Sequence, residues 1–364
     1  MKTKIFAIIF LAALFVTNLN AEPKRVVVEF CTGTWCGYCP CGDAACEQIL
    51  LTYPQTVVIA YHGASSDPWQ TFNGSEMRGM LGFSAYPTAI IDRTNHPGNG
   101  GSFPYVTSNL FYSYTQNRYN STPNSMVNLV ITNSSYNPGT RQLSISLDAT
   151  ALQNLPDQYK VVYVLTEDNV VYPQNYYASC GTAGYHNDYI HKWIARNVVN
   201  GANGENLNTG TWNQNQTISK SISVTVDNAW IAQNCNLNVI IYKDNPSGGL
   251  YLSSVEQGNI VSLSGLVGIS GNSGITPKEY SLSQNYPNPF NPVTNIKFSV
   301  PKDGDASLKI YDILGNLVAT YYDGFLKAGS YNADVDASNL ASGIYFYTLK
   351  AGNFVETKKM SLVK

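Results

Sequence analysis

Residues Val26 to Leu50 read VVVEFCTGTWCGYCPCGDAACEQIL, and they limit the possible folds more tightly than any other stretch. An apolar run, Val26 to Phe30, ends in a short turn, Thr32 to Thr34. Trp35-Cys36-Gly37-Tyr38-Cys39 follows, with Pro40 behind it and then good helix formers from Ala44 to Leu50. The pattern predicts a buried strand running into a helix, with a Cys-x-x-Cys pair at the helix's first turn. The free N–H groups and positive dipole end there favour negative charge, so a Cys36 thiolate should be stabilised. Two intervening residues leave the sulfurs close enough to bridge. Cys36, at the helix start, is the expected attacking thiol and Cys39 the resolving one.

A second stretch, Ser84 to Asp92 (SAYPTAIID), is a turn into an apolar strand with a proline at its start. Together the two stretches resemble the thioredoxin superfamily. Trp35-Cys36-Gly37-Tyr38-Cys39 is similar to its active-site motif, and Tyr86-Pro87-Thr88 to its cis-proline segment. The resemblance implies that Pro87 is cis and that Trp35, Tyr38, Tyr86 and Thr88 hold a substrate strand. It also implies that Glu29, inside Val-Val-Val-Glu-Phe, is a buried acid that moves a proton below the disulfide. Gly37-Tyr38 resembles the dipeptide of bacterial disulfide isomerases. A Cys-x-x-Cys pair also suits a structural disulfide or half a zinc site, and zinc needs a second Cys or His pair at ligand spacing. His62, His96, His186 and His191 are scattered, so neither a metal nor another cofactor is expected.

At 364 residues the chain should hold two or three domains. Net charge is −2 and charged residues make up 13%, which leaves no basic surface for nucleic acid. The start combines Met1-Lys2-Thr3-Lys4, an apolar run from Ile5 to Val16 and a small residue at Ala21, the pattern of a secretory signal peptide over 1–21. That run is too short for a transmembrane helix, and no transmembrane segment is expected after cleavage. Seven cysteines in an exported chain imply disulfides. Besides Cys36–Cys39, Cys180 and Cys235 are candidates to pair with each other. Cys31, Cys41 and Cys46 cluster near the motif; a bridge from Cys31 to either of the others is open, and so is a small buried role for Cys31 and Cys46.

Residues 22–123 read as the α/β thioredoxin-like domain. The polar loop His62 to Phe72 brings His62, Asp67 and Trp69 near the pair, as a substrate groove or as plain surface. Asn73 to Met80 and Asn109 to Arg118 read as helices, and Asn95 to Ser102 as a flexible excursion. Residues 124–264 carry short alternating runs at 126–131, 142–149, 160–167, 219–226, 237–242 and 250–257, which predict an all-β antiparallel sandwich. Tyr185 to Arg196 reads as a long connection across that sandwich. His186, Asp188 and His191 fit none of the helical metal motifs. The order of these parts, with Tyr86-Pro87-Thr88, Asp92-Arg93 and then His191, Arg196 and Gly201-Ala202-Asn203-Gly204, resembles a thioredoxin-like family of Gram-negative outer-membrane proteins.

Ser262 to Thr276 is rich in Gly and Ser, and 265–276 reads as a linker. From 277 to 364 a proline-rich lead-in (Tyr286-Pro287-Asn288-Pro289-Phe290) precedes six strand-like runs and a Gly-containing turn at Asp312 to Asn316. With Leu308 to Asp312, Gly343-Ile344-Tyr345 and the terminal Lys358 to Lys364, this small all-β unit resembles the C-terminal sorting domain of the type IX secretion system. The resemblance implies passage across the outer membrane, the secretion machinery as a partner, and release or attachment at the cell surface. Two functions stand open: a secreted thiol–disulfide oxidoreductase of oxidase or isomerase type acting on protein thiols or disulfides, or a non-catalytic extracellular binding protein on the same scaffold.

Overall fold

The computed structural model describes residues 22–64, 66–95, 105–137, 140–263, 266, 269–272, 277–326, 328–337 and 340–364. The expected signal peptide (1–21), His96 and the excursion beyond Asn95 lie outside the described residues.

The first part runs β1 (Glu22–Pro23), β2 (Val27–Thr32), α1 (Cys39–Thr52), β3 (Val57–His62), α2 (Glu76–Met80), β4 (Thr88–Ile91), β5 (Tyr105–Thr107) and α3 (Phe111–Ser121). The second runs β6 (Asn124–Ser125), β7 (Val127–Asn137), β8 (Gln142–Ala151), β9 (Tyr159–Glu167), β10 (Val170–Val171), β11 (Gln174–Tyr176), β12 (Gly184–His186), β13 (Ile190–His191), β14 (Ile194–Val198), β15 (Glu205–Asn206), β16 (Thr217–Thr225), β17 (Cys235–Lys243) and β18 (Val255–Ser262). The third holds β19 (Ile269–Asn272), β20 (Ser281–Leu282), β21 (Val293–Val300), β22 (Gly304–Tyr311), β23 (Leu317–Leu326), β24 (Gly329–Asp336), β25 (Gly343–Ala351) and β26 (Phe354–Leu362). The molecule is mostly β.

One nine-stranded sheet joins the first two parts, in the order β18-β17-β9-β14-β3-β2-β4-β5, with β15 paired to β9. The boundary expected between 123 and 124 therefore does not divide the structure. The reason lies in β3, VVIAYH, which is buried along its whole length. A buried strand cannot leave its outer edge unpaired. β14 fills that edge: Ile194 pairs in parallel with Ala60, and the Ala60 amide donates to the Trp193 carbonyl at 2.8 Å.

Strand alternation sends side chains to two faces. Val28 and Phe30 of β2 meet Cys46 and Ile49 of α1 and Phe111 of α3 on one face. Val27, Ile59 and Tyr61 meet Met77 of α2, Val164 of β9 and Ile240 of β17 on the other. β9 and β17 also turn Tyr163, Leu165, Leu237 and Val239 onto a separate core with Leu129, Ile145 and Leu147 of the three-stranded sheet β16-β8-β7. The expected sandwich is thus present, but one of its layers is the sheet that carries the cysteine pair. Leu250–Leu252, expected as strand, is a 3-10 turn that precedes β18.

The C-terminal part packs two four-stranded sheets, β19-β24-β21-β20 and β23-β22-β25-β26, around Phe290, Phe298, Leu308, Tyr347 and Met360. The expected linker is corrected here: Ile269–Asn272 pairs with β24 from Ala333 to Ser330 and becomes an edge of this unit. The lead-in contributes only β20 and single bridges at Tyr286 and Phe290, because its prolines lack ladder donors. The Tyr286–Pro287 and Asn288–Pro289 bonds are cis. Asp312 closes the predicted turn, its carboxylate accepting from the Leu314 and Asn316 amides at 2.8 and 2.9 Å.

Candidate functional site

The cysteine pair sits where a buried parallel strand feeds a helix. β2 ends at Thr32, and a turn closes when the Cys36 amide donates to the Gly33 carbonyl at 3.0 Å. Helix α1 then begins at Cys39, with Pro40 in its first turn, where a missing N–H costs nothing. Cys36 and Cys39 are disulfide-bonded, with Cα atoms 5.4 Å apart. Cys36 is 5% exposed and Cys39 is fully buried, so within the pair Cys36 is the sulfur nearer to solvent. Pro87, in a cis bond after Tyr86, packs on the first turn of α1. A Cβ at Gly42 would stand 3.0 Å from the Pro87 Cβ, so a larger residue there would push the two apart.

Trp35 donates its Nε1–H to the Gly63 carbonyl at 2.8 Å and meets Tyr86 edge-on at 5.3 Å between ring centroids. Tyr38 is about half exposed beside the pair. Two expected roles do not survive. Thr88, expected to hold substrate, is buried; its hydroxyl donates to the Ala85 carbonyl at 2.8 Å and lies 3.3 Å from Cys31 Sγ. Glu29, expected as a proton carrier under the disulfide, faces the α2 side of the sheet, away from α1. It is clamped by Arg93, with Nε to Oε2 at 2.7 Å and Nη2 to Oε1 at 2.9 Å, and it accepts from Tyr61 Oη at 3.0 Å. A carboxylate locked this way is an ion-pair partner, not a shuttle.

The disulfide expected between Cys180 and Cys235 is also replaced. Cys180 bonds to Cys41, two residues after Cys39, and Cys235 is a buried free thiol on the sandwich core. Cys31 and Cys46 are buried free thiols too. Burial pushes Cys31 up to about 11 and Cys235 to about 12, and raises Cys46 well above the ordinary thiol range.

The Cys41–Cys180 bond marks what the sequence did not announce. The stretch from Val170 to His191 does not cross the sandwich; it folds as a two-armed strap over the cysteine pair. Its arms pair as β10 with β13 and β11 with β12. The Asn175 and Tyr177 amides donate to the Thr34 and Gly37 carbonyls, each at 2.9 Å. Buried Gln174 donates its Nε2 to the Cys36 carbonyl at 3.0 Å and the Gly33 carbonyl at 3.2 Å. The Tyr177 ring covers Gly37 so closely that an added Cβ would stand 2.5 Å from it. Along α1, Tyr189 donates to Asp43, and Lys192 pairs with Glu47 at 2.7 Å. Burial pushes the Asp43 carboxyl up to about 6. One signal was available: Tyr172, Tyr176, Tyr177, Tyr185 and Tyr189 give this stretch a density of aromatics that a plain connection does not need.

The polar loop after β3 lies behind the Cys-x-x-Cys turn. His62 Nδ1 and Asp67 Oδ2 are 2.9 Å apart, and the Thr34 amide donates to the same Asp67 oxygen at 2.8 Å. His191, at the foot of the strap, stacks edge-on against His62, Trp69 and Tyr189. Burial, with the charges of His62 and Arg196 nearby, lowers His191 to about 3, although Asp67 and the Tyr172 carbonyl pull the other way. The sign of its effect follows. Above about pH 6.5 both folded and unfolded chains carry a neutral imidazole. As the pH falls, the unfolded chain takes a proton that folded His191 refuses until about pH 3. The fold should lose up to about 5 kcal/mol across that window. His191→Phe should flatten this part of the curve, read from urea titrations at pH 7 and pH 4; equal acid losses in both proteins would refute the assignment.

Arg196 lies over the Trp69 ring at 5.2 Å and pairs with Glu167 at 2.7 Å. A cleft of about 460 Å³ opens beside them, flanked by Asn73, Asn197, Asp227 and Trp230. His186 packs on Tyr176 and donates its Nε2–H to the Thr182 carbonyl at 2.7 Å. Among the described residues no helix is long and apolar enough to cross a membrane.

Residues 75–260 match the family model for outer membrane protein Omp28. The chain belongs to the Omp28 family. In this Omp28-family protein the match spans the strap, the sandwich and most of the shared sheet, and it begins after the cysteine pair. Residues 284–363 match the secretion system C-terminal sorting domain, which makes the last unit a type IX sorting domain. The protein is accordingly secreted and attached at the outer-membrane surface. Among solved structures it is similar to HBP35 of Porphyromonas gingivalis, at 14% identity and a TM-score of 0.54, over 94% of this chain and 99% of that one. That likeness concerns the fold. Spo0M, the sporulation control protein of Bacillus subtilis, is matched at 9% identity with a TM-score of 0.22, over 65% of this chain and 90% of that one. No curated protein sequence matches this chain.

Proposed function

We propose that this Omp28-family protein is a surface-attached thiol–disulfide oxidoreductase, and that its first part is a thioredoxin-like unit built on β2, α1, β3 and β4. The observation that carries the reading is the placement of Cys36–Cys39. The pair follows the turn after a buried strand, opens α1 and has Pro87 packed on the same helical turn. Cys36, the less buried sulfur, attacks a substrate disulfide and forms a mixed disulfide; Cys39 resolves it and restores the ring. Run the other way, the oxidised pair accepts two electrons from a substrate dithiol. Trp35, Tyr38 and Tyr86 flank the approach to Cys36 and hold the substrate strand. The sorting domain hands the protein to the type IX machinery, and its clients are protein thiols or disulfides outside the cell.

A second reading, a binding protein with a static disulfide, draws on the burial of Cys36 and on the cleft beside Trp69. The midpoint potential of Cys36–Cys39, measured by alkylation across a redox-buffer series, separates the two. A value of roughly −120 to −270 mV is expected for a working site, and one below about −300 mV would mean a structural bridge.

A further inference from the structure

We infer that Cys41–Cys180 is a second thiol–disulfide exchange site, one that takes an external dithiol and acts as the latch of the strap over Cys36–Cys39. The inference rests on the oxidoreductase reading of the inner pair and adds how that pair is reached.

Three observations converge. First, the two disulfides differ in access. Cys36 and Cys39 are 5% and 0% exposed, while Cys41 and Cys180 are both half-buried at the surface. An external thiol therefore meets the outer bond first. Second, the strap covers the inner pair with its own backbone. Asn175 and Tyr177 lie along the Cys-x-x-Cys turn with main-chain hydrogen bonds to Thr34 and Gly37, as an added strand of a bound peptide would. A client strand cannot lie there while the strap does. Third, the outer bond is the covalent tie between the strap and α1. The other ties along the helix, Tyr189 to Asp43 and Lys192 to Glu47, are single polar contacts. The Lys192–Glu47 pair is largely exposed and contributes little.

The exchange balances within the dithiol. One of its thiolates attacks Cys180 Sγ, the Cys41–Cys180 bond breaks, and Cys41 leaves as a thiolate that takes a proton. The second thiol of the reagent then attacks the mixed disulfide. Cys180 leaves and is protonated, and the reagent departs as a disulfide. Two electrons and two protons have moved from the dithiol to the latch. With the latch open, hydrogen bonds alone hold Tyr177 and Gln174 on the turn, and their transient opening uncovers the Cys36 side of the inner bond.

The test uses the full chain, dithiothreitol as the probe, and alkylation with mass spectrometry as the readout. In the native protein Cys41 and Cys180 should be labelled before Cys36 and Cys39. In Cys41→Ser/Cys180→Ser, reduction of Cys36–Cys39 should be at least about tenfold faster. Tyr177→Ala keeps both disulfides and should also speed it, so the idea stands or falls even if the double variant folds poorly. Labelling of Cys36 ahead of Cys180, or an unchanged inner rate in both variants, would overturn the latch. The midpoint potential of Cys36–Cys39, taken on the same samples, judges the oxidoreductase reading separately. A catalytic potential with unchanged rates removes only the latch, and a structural potential with faster rates removes only the enzyme.

Discussion

Cys36→Ser should reduce thiol–disulfide exchange to the uncatalysed background. The attack needs a thiolate with an opening to solvent, and none of the three buried free cysteines can stand in. Cys31, Cys46 and Cys235 are buried, and burial holds their thiols protonated at neutral pH: Cys31 is pushed to about 11 and Cys235 to about 12. A thiol at such values offers on the order of one thiolate in ten thousand or fewer at pH 7. Cys41 and Cys180 are tied to each other, and the comparison is made in the Cys41→Ser/Cys180→Ser background so that the outer bond cannot exchange. Cys39→Ser should behave differently, keeping the attack and trapping the mixed disulfide. The check is reduction of a model protein disulfide, with gel-shift capture of trapped partners. Full activity in Cys36→Ser would end the oxidoreductase reading.

Arg93→Met should destabilise the body of the protein by about 3–5 kcal/mol, because it strands the Glu29 carboxylate inside the sheet. Both residues are essentially without exposure, at 0% and 1%. Arg93 gives two of its donors to Glu29 and lies over the Tyr242 ring at 4.7 Å. Burial alone would lower the Arg93 pKa, yet the Glu29 charge raises it, so the guanidinium stays protonated. Removing it leaves Tyr61 as the remaining side-chain partner of Glu29. Adding Glu29→Met to the variant should restore much of the loss, since an apolar pair of similar volume needs no counter-charge. All five tryptophans lie between 35 and 230, so their fluorescence in urea follows this body and not the sorting domain. A loss under about 1 kcal/mol would mean that water or another cation reaches Glu29.

The same residues show what could be read from the chain and what could not. The strand–turn–helix around Cys36, the turn at Pro87 and the strands of the sorting domain follow local rules, so short stretches announced them. Glu29 carried a signal that pointed the wrong way. A charge inside Val-Val-Val-Glu-Phe must find a partner, and that partner, Arg93, lies 64 residues away, where the resemblance to a catalytic acid gives no hint of it. The Cys41–Cys180 bond had no local signal at all, since it spans 139 residues and depends on where the strap lands. The boundary after 123 failed for a related reason. Composition changes there, but hydrogen bonding does not stop: the edge of β3 is completed by Ile194.

That shared edge constrains the order of biogenesis. When the chain emerges from its N-terminus, the half that carries the Cys-x-x-Cys turn is synthesised with β3 open on one side. Its missing neighbour, β14, arrives roughly 130 residues later, and the strap that shields the cysteines is made just before it. Until then the site is an uncovered thiol pair on an unfinished sheet, exposed to wrong partners. A fragment cut at the apparent boundary would stay in that state and aggregate through its bare strand.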